Sequence, residues 1–218
     1  MMNKWSKRFI GIGILCLLAA FCLTAYNIWS DAQAGETADS ALQQMKQFQE
    51  DKFQDDKFQD DTVQDTVNPS EEEIPDYILN PEMDMPTQEI DGQDYIGTLV
   101  IESLGLSLPI ISEWSYPRLQ IAPCRYAGSA YLDNMVIAAH NYKSHFGHLK
   151  NLSQGDTVTF TDIDGNIFNY QVVEIETLSP YSIQEMTSGD WDLTLFTCTI
   201  GGQARVAIRC ACVENDSP

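Results

Sequence analysis

The chain is poor in basic residues: Lys and Arg total 12 against 32 Asp and Glu, for a formal charge of −20. Affinity for a phosphate backbone needs a basic footprint, so a nucleic-acid partner is excluded. Cysteine is also scarce for a disulfide scaffold, with six in 218 residues, two of them (Cys16 and Cys22) inside an apolar run. The other four, Cys124, Cys198, Cys210 and Cys212, permit pairing in an oxidising compartment without requiring it. Charge is absent altogether from residues 9–28, roughly the 20 residues that cross a bilayer as a helix.

Lys4, Lys7 and Arg8 precede that run, so the basic end is expected to stay in the cytoplasm and the rest to lie outside a single-pass membrane anchor. Ala32-Gln33-Ala34 resembles a small-residue cleavage site, so a removed secretory signal is the competing reading; the length of the run favours the anchor. Three units are expected: 1–30 as basic tail and anchor, 31–93 as an acidic low-complexity stalk, and 94–218 as the exterior domain.

The stalk expectation rests on composition. Asp51-Lys52-Phe53-Gln54-Asp55 repeats at 56–60 and loosely at 61–65, and a segment this charged buries too little apolar surface to offset chain entropy. Leu42, Met45, Phe48 and Phe53 are loosely helix-spaced, which leaves an amphipathic helix over 40–58, packed on the domain, as the alternative. Pro69, Pro75, Pro81 and Pro86 argue against a long regular element just before the domain.

From Tyr95 onward, short runs rich in Val, Ile, Thr, Tyr and Phe alternate with Gly, Asp, Asn and Pro, the pattern of a mainly β domain. Strands are expected over 96–101, 106–111, 135–141, 156–161, 167–177, 193–199 and 205–213, with Asp164-Gly165 as a hairpin turn. A short helix is expected over 144–152, because Phe146 and Leu149 lie three apart. These elements suffice for a single closed β-barrel of about eight strands with one or two short helices.

The chemistry concentrates in the segment from Leu193 to Ile208. Strand alternation puts Thr194, Phe196 and Cys198 on one face. With Gly201-Gly202 as a two-residue turn, Cys198 falls opposite Arg205, their Cβ atoms roughly 5 Å apart. A fixed guanidinium beside a thiol favours the reactive thiolate and can also hold an oxyanion during acyl transfer. His140 ends an apolar strand, where it can hold the thiol's proton and later deliver one to a leaving amine. His145, His148, Cys210 and Cys212 are acceptable zinc ligands by type, but the two cysteines share a strand face with Val206 and Ile208 and read as core residues.

Thr194-Leu195-Phe196-Thr197-Cys198 resembles the sortase signature Thr-Leu-x-Thr-Cys. Upstream, Tyr126-Ala127-Gly128-Ser129, the run from Asn134 to His140 and Asn141, Phe146 with Leu149, and Gly155-Asp156 follow the order of that family's landmarks. The similarity spans 95–213 and is nearest to class B-like or D-like members, the subclass being open. It implies a sortase-type barrel and a cysteine transpeptidase with Cys198 as nucleophile, His140 as proton partner and Arg205 as cation. A Leu-Pro-x-Thr-Gly-like sorting signal on a secreted protein would be cleaved through a thioester and passed to an amine of a peptidoglycan precursor or a pilin lysine. No cofactor or metal is implied. Thr197, Thr194, Phe196, Asn141 and Tyr181 are candidate substrate contacts, and 178–191 is the expected substrate-reading loop.

Two departures from the family pattern stand out. Ala139 replaces the glycine common before the histidine, and the short Cys198 to Arg205 connection makes Arg209 a fallback for the cation. An extracellular cysteine peptidase confined to hydrolysis, and a non-catalytic surface barrel, are the rival readings.

Overall fold

The computed structural model describes the backbone of residues 4–60 and 74–213, and the side chains of 8–50 and 74–213. Residues 61–73, which hold the loose third copy of the acidic repeat and Pro69, lie outside the described residues.

Among the described residues, nine strands form one sheet: β1 Gln88–Ile90, β2 Gln93–Ile101, β3 Leu106–Ile111, β4 Cys124–Ala127, β5 Met135–Ala139, β6 Thr157–Asp162, β7 Ile167–Leu178, β8 Leu193–Cys198 and β9 Arg205–Cys212. Their order is β1-β2-β3-β4-β5-β8-β9-β7-β6, and a further β2 to β6 pairing closes the last eight into a barrel. All seven expected strands are present. Two short ones escaped the sequence pattern: β1 has three residues, and β4 has four with an irregular register against β5.

The barrel is mixed. β5 and β8 run parallel at its centre, and every residue of β5 is buried. Met135, Ile137 and Ala139 face the barrel interior, while Val136 and Ala138 belong to a second apolar layer outside it. Burial on both faces explains why β5 is a continuous apolar run rather than an alternating one. Three short helices decorate the wall: α2 Asp76–Leu79, α3 Tyr116–Leu119 and α4 Ile183–Thr187, numbered after the long N-terminal α1.

The structure departs from expectation at two places. The expected helix over 144–152 is a series of turns ending in one 3-10 turn at Leu149–Asn151. Phe146 and Leu149 are both fully buried, which accounts for their spacing. Gly147 is wedged against the carbonyls of Asn141 and Tyr142, where an added Cβ would come within 2.7 Å of each.

The larger departure is α1, Lys4–Asp60. Where a stalk without regular structure was expected from residue 31, the helix continues unbroken and packs on the barrel. Ala34, Ala38, Ala41, Leu42 and Met45 are buried, a stripe at helical spacing whose small residues admit a close approach. Ala41 and Met45 join the outer apolar layer with Ile90, Tyr95 and Ile111. Phe48, which the amphipathic alternative placed on the packed face, is exposed. Upstream, the side chains of the apolar part of α1, Leu17 and Phe21 among them, are exposed. This helix is long and apolar enough to cross a membrane, by length and composition.

Candidate active site

The strand register assembles the three expected groups. Ala139 is paired with Thr197 across the parallel β5 and β8, so the next residues, His140 and Cys198, leave the barrel at the same end, on strands about 4.8 Å apart. On the other side of β8, Cys198 is the direct partner of Arg205. The intervening turn is tied by the Thr199 N–H to the Ala204 carbonyl at 2.9 Å and the Gly202 N–H to the Thr199 carbonyl at 2.8 Å. The cysteine therefore stands between an imidazole and a guanidinium.

Their environments differ in ways that matter chemically. Burial lowers the pKa of His140 below that of an ordinary imidazole. Cys198 is partly exposed, whereas burial pushes the thiols of Cys124 and Cys210 up to about 12 and leaves them inert. Arg205 donates only to the carbonyls of Ala204 and Gly202, at 3.3 and 3.5 Å, and pairs with no carboxylate among the described residues. Its charge remains available to a bound group.

Two grooves meet at Cys198. One, of about 190 Å³, is lined by His140, Cys198, Arg205, Phe196 and Thr197, with Trp114, Tyr116 and Tyr126 along its wall. These rings form a row: Phe196 meets Tyr126 edge to face at 5.3 Å, Tyr126 meets Trp114 at 5.1 Å, and Trp114 meets Tyr116 at 5.7 Å. Pro180, Ile183 and Met186, from the β7 to β8 connection, close its other side. The second groove, of about 510 Å³, lies across Cys198 and is lined by Asn141, Lys143, Phe146, His148, Lys150 and Ile200, among others.

The expected substrate contacts divide. Phe196 and Thr197 line the first groove, and Asn141 lines the second. The Thr197 hydroxyl donates to the Ala139 carbonyl at 2.9 Å, bracing the strand end before His140. Thr194 is buried beneath the groove as a hydrogen-bond acceptor for Arg209, and Tyr181 is 89% exposed, outside both grooves. Trp114, Tyr116 and Leu119 escaped the sequence reading; the only signal was a Trp-x-Tyr pair in a turn-rich stretch. Arg209, the fallback cation, is 2% exposed and fully engaged. It donates to Glu176 at 3.0 Å, to Thr194 at 3.1 Å and to the carbonyls of Met186 and Glu185 at 3.2 and 2.6 Å, pinning α4 to β7 and β8.

The zinc alternative does not assemble. His145 is fully buried while His148 is exposed, Cys210 lies in the barrel core, and the described residues contain no group of three or more His, Cys, Asp and Glu able to hold a metal.

Comparison with known proteins agrees with this architecture. The model of the sortase domain matches residues 99–213, just over half of the chain. Sortase C1 from Streptococcus agalactiae superposes with a TM-score of 0.51 at 27% identity, covering 59% of this chain and 72% of that one. A Clostridium perfringens sortase D5 transpeptidase shares the fold, with a TM-score of 0.50 at 24% identity over 58% of this chain and 82% of that one. No curated protein matches. This chain belongs to the sortase family, whose members are cysteine transpeptidases.

Proposed function

We propose that the protein is a membrane-anchored sortase that cleaves a Leu-Pro-x-Thr-Gly-like signal near the C-terminus of secreted proteins. It then joins the acyl fragment to an amine of a peptidoglycan precursor or a pilin lysine. Cys198 acts as nucleophile, His140 as proton carrier and Arg205 as the cation facing the developing oxyanion. The basic tail stays in the cytoplasm, residues 9–28 span the bilayer once, and the barrel lies outside the cell.

The observation that carries this reading is the double register at Cys198, beside the residue that follows Ala139 on one strand and opposite Arg205 on the other. The Cys198 thiolate attacks the scissile carbonyl carbon. As the tetrahedral intermediate collapses, the C–N bond breaks and the leaving amine takes a proton from the His140 imidazolium. The acceptor amine then attacks the thioester, the thiolate departs, and the amine's proton passes to His140. Arg205 stabilises the oxyanion in both steps. The aromatic groove supplies an apolar surface for the acyl half, and the groove across Cys198 is open to the amine.

Incubating the full chain in lipid vesicles with a panel of signal peptides and candidate amines tests this reading. A ligated product is expected, with none from Cys198→Ala. Hydrolysis that added amine never diverts would identify a peptidase instead. Ligation surviving in Cys198→Ala would refute the assignment of the nucleophile.

A further inference from the structure

The polar contacts between α1 and the barrel are concentrated. Gln44 and Gln49 reach Asp91 and the Asp162 carbonyl at 3.4 and 3.2 Å, but among the described residues the shorter bonds all fall on the loop that begins at His140. The Asp31 carboxylate accepts from the Ser144 backbone N–H at 3.1 Å and from the Ser144 hydroxyl at 2.8 Å. One residue earlier, the hydroxyls of Ser30 and Tyr142 are 3.0 Å apart. One turn later, Gly35 passes so close to Ser144 that a Cβ there would sit 3.1 Å from the serine Cβ. Glycine is a poor residue for a helix interior, and this close approach is a reason for it to be here.

The contacted loop is short and closed on itself. The Phe146 N–H donates to the His140 carbonyl at 3.2 Å, so 140–146 returns to its starting point. The His140 ring lies 5.0 Å from that of Tyr142, which lies 5.5 Å from that of His145. His145 is fully buried behind them, and neither of its ring nitrogens reaches a hydrogen-bond partner among the described residues, although the Ala34 carbonyl of α1 lies near enough to favour the charged ring. Inside the loop the His145 and Gly147 N–H groups both donate to the Tyr142 carbonyl, at 3.0 and 2.8 Å, while residues 142–144 meet α1 on their outer side, so the helix holds a loop that already moves as one piece.

We propose that the juxtamembrane helix positions the imidazole of His140 against Cys198 by holding its loop through Asp31 to Ser144 and Ser30 to Tyr142. Asp31 is a positioning residue: it touches neither groove wall at Cys198 and acts only through the loop. The inference rests on His140 and Cys198 being the reacting pair. Small displacements of a reacting group cost rate out of proportion to their size, so slackening this seam lowers turnover while leaving the aromatic groove, and with it KM, unchanged. The charged or titratable groups facing the loop are Asp31 from α1, Tyr142, Lys143 and His145 within it, His148 and Lys150 just after it, and Cys198 and Arg205 from the β8 to β9 end.

The test uses the full chain in lipid vesicles with a soluble signal peptide and an amine. Asp31→Ala is expected to lower kcat about tenfold at unchanged KM. Because burial is what lowers the His140 pKa, a loosened and rehydrated loop should move the limb of the pH profile that belongs to His140 upward. Asp31→Asn keeps an oxygen acceptor for Ser144 and should restore kcat to within about threefold. Gln44→Ala, on the same helix but away from the loop, should behave as wild type. Should Asp31→Ala fail to fold, Ser144→Ala removes the hydroxyl bond from the loop side and should lower kcat in the same direction. Wild-type kcat and pH profile in Asp31→Ala or Ser144→Ala overturn the inference, as does an Asp31→Asn enzyme as damaged as Asp31→Ala. A wild-type chain that transfers no signal, or transfer retained by Cys198→Ala, overturns the functional reading itself and this inference with it.

Discussion

Two arginines project from the same face of β9, and their surroundings predict opposite phenotypes. Arg209 is buried, with bonds to Glu176, Thr194 and two carbonyls of α4. Removing one partner of a buried pair costs about 3–5 kcal/mol, because the groups left behind lose both water and partner. Glu176 is about a third exposed, so water can recover its carboxylate, and the lower end, about 3 kcal/mol, is expected for Arg209→Ala. Since the lost bonds also pin α4, which carries Ile183 and Met186 into the groove, KM should rise several-fold while kcat stays within about fivefold. Arg205 holds only two weak carbonyl contacts, so Arg205→Ala should change stability by less than about 0.5 kcal/mol. Its turnover should nevertheless fall about 10²- to 10³-fold through loss of the oxyanion partner. Urea unfolding of the full chain in detergent gives the first quantity and steady-state ligation the second. If Arg209→Ala lost turnover at unchanged stability, or Arg205→Ala kept its turnover, the cation would have been assigned to the wrong residue.

Two further outcomes test the packing. Burial, with His140 nearby, drives the His145 pKa from 6.5 down to about 4, Asp31 pulling only partly the other way. Below pH 6.5 the unfolded chain therefore binds a proton that the folded one refuses, and stability falls as pH drops from about 6.5 to 4, by about 3 kcal/mol in all. His145→Phe should remove that share of the acid sensitivity when unfolding midpoints at pH 7 and pH 4.5 are compared; an unchanged difference refutes it. Gly128 has φ 71°, and a Cβ there would lie 2.0 Å from the Asn134 carbonyl oxygen, so Gly128→Ala should cost at least about 2 kcal/mol in urea unfolding. A loss under about 1 kcal/mol would show that the Gly-Ser turn can relax.

What could be read from the sequence was whatever depends on neighbours along the chain. The Cys198 to Arg205 pairing follows from counting outward from Gly201-Gly202, and the structure has that register. The parallel neighbourhood of β5 and β8, which brings in His140, came only through the resemblance of ordered landmarks, because no local pattern says which strands lie side by side. The aromatic wall was harder still. Trp114 and Tyr116 come from the connection between β3 and β4, Tyr126 from β4 and Phe196 from β8, and their row exists only once the barrel has closed. The helical packing of 31–45 was obscured by composition. Acidic residues dominate the segment, and the stripe that packs is mostly alanine, which a search for large apolar side chains passes over.

On the proposed topology, that stripe changes how the anchor works. A flexible stalk would raise the encounter rate with substrates in the same membrane simply by confining the barrel near it, with an effective concentration set by tether length. Here the charge-free run ends at Ile28, and the first docking bond, from Ser30 to Tyr142, falls two residues later, a helical rise of about 3 Å. On the proposed topology the barrel cannot drift: it is mounted on the membrane helix at one angle. Asn27 and Ile28 line the same cleft as Asn141 and Ile200, which also line the open groove beside Cys198, so that groove faces the point where the helix would leave the bilayer. On that proposed topology a fixed mount would favour substrates that arrive at one height and one orientation, and the seam between α1 and the His140 loop would be the support of the barrel.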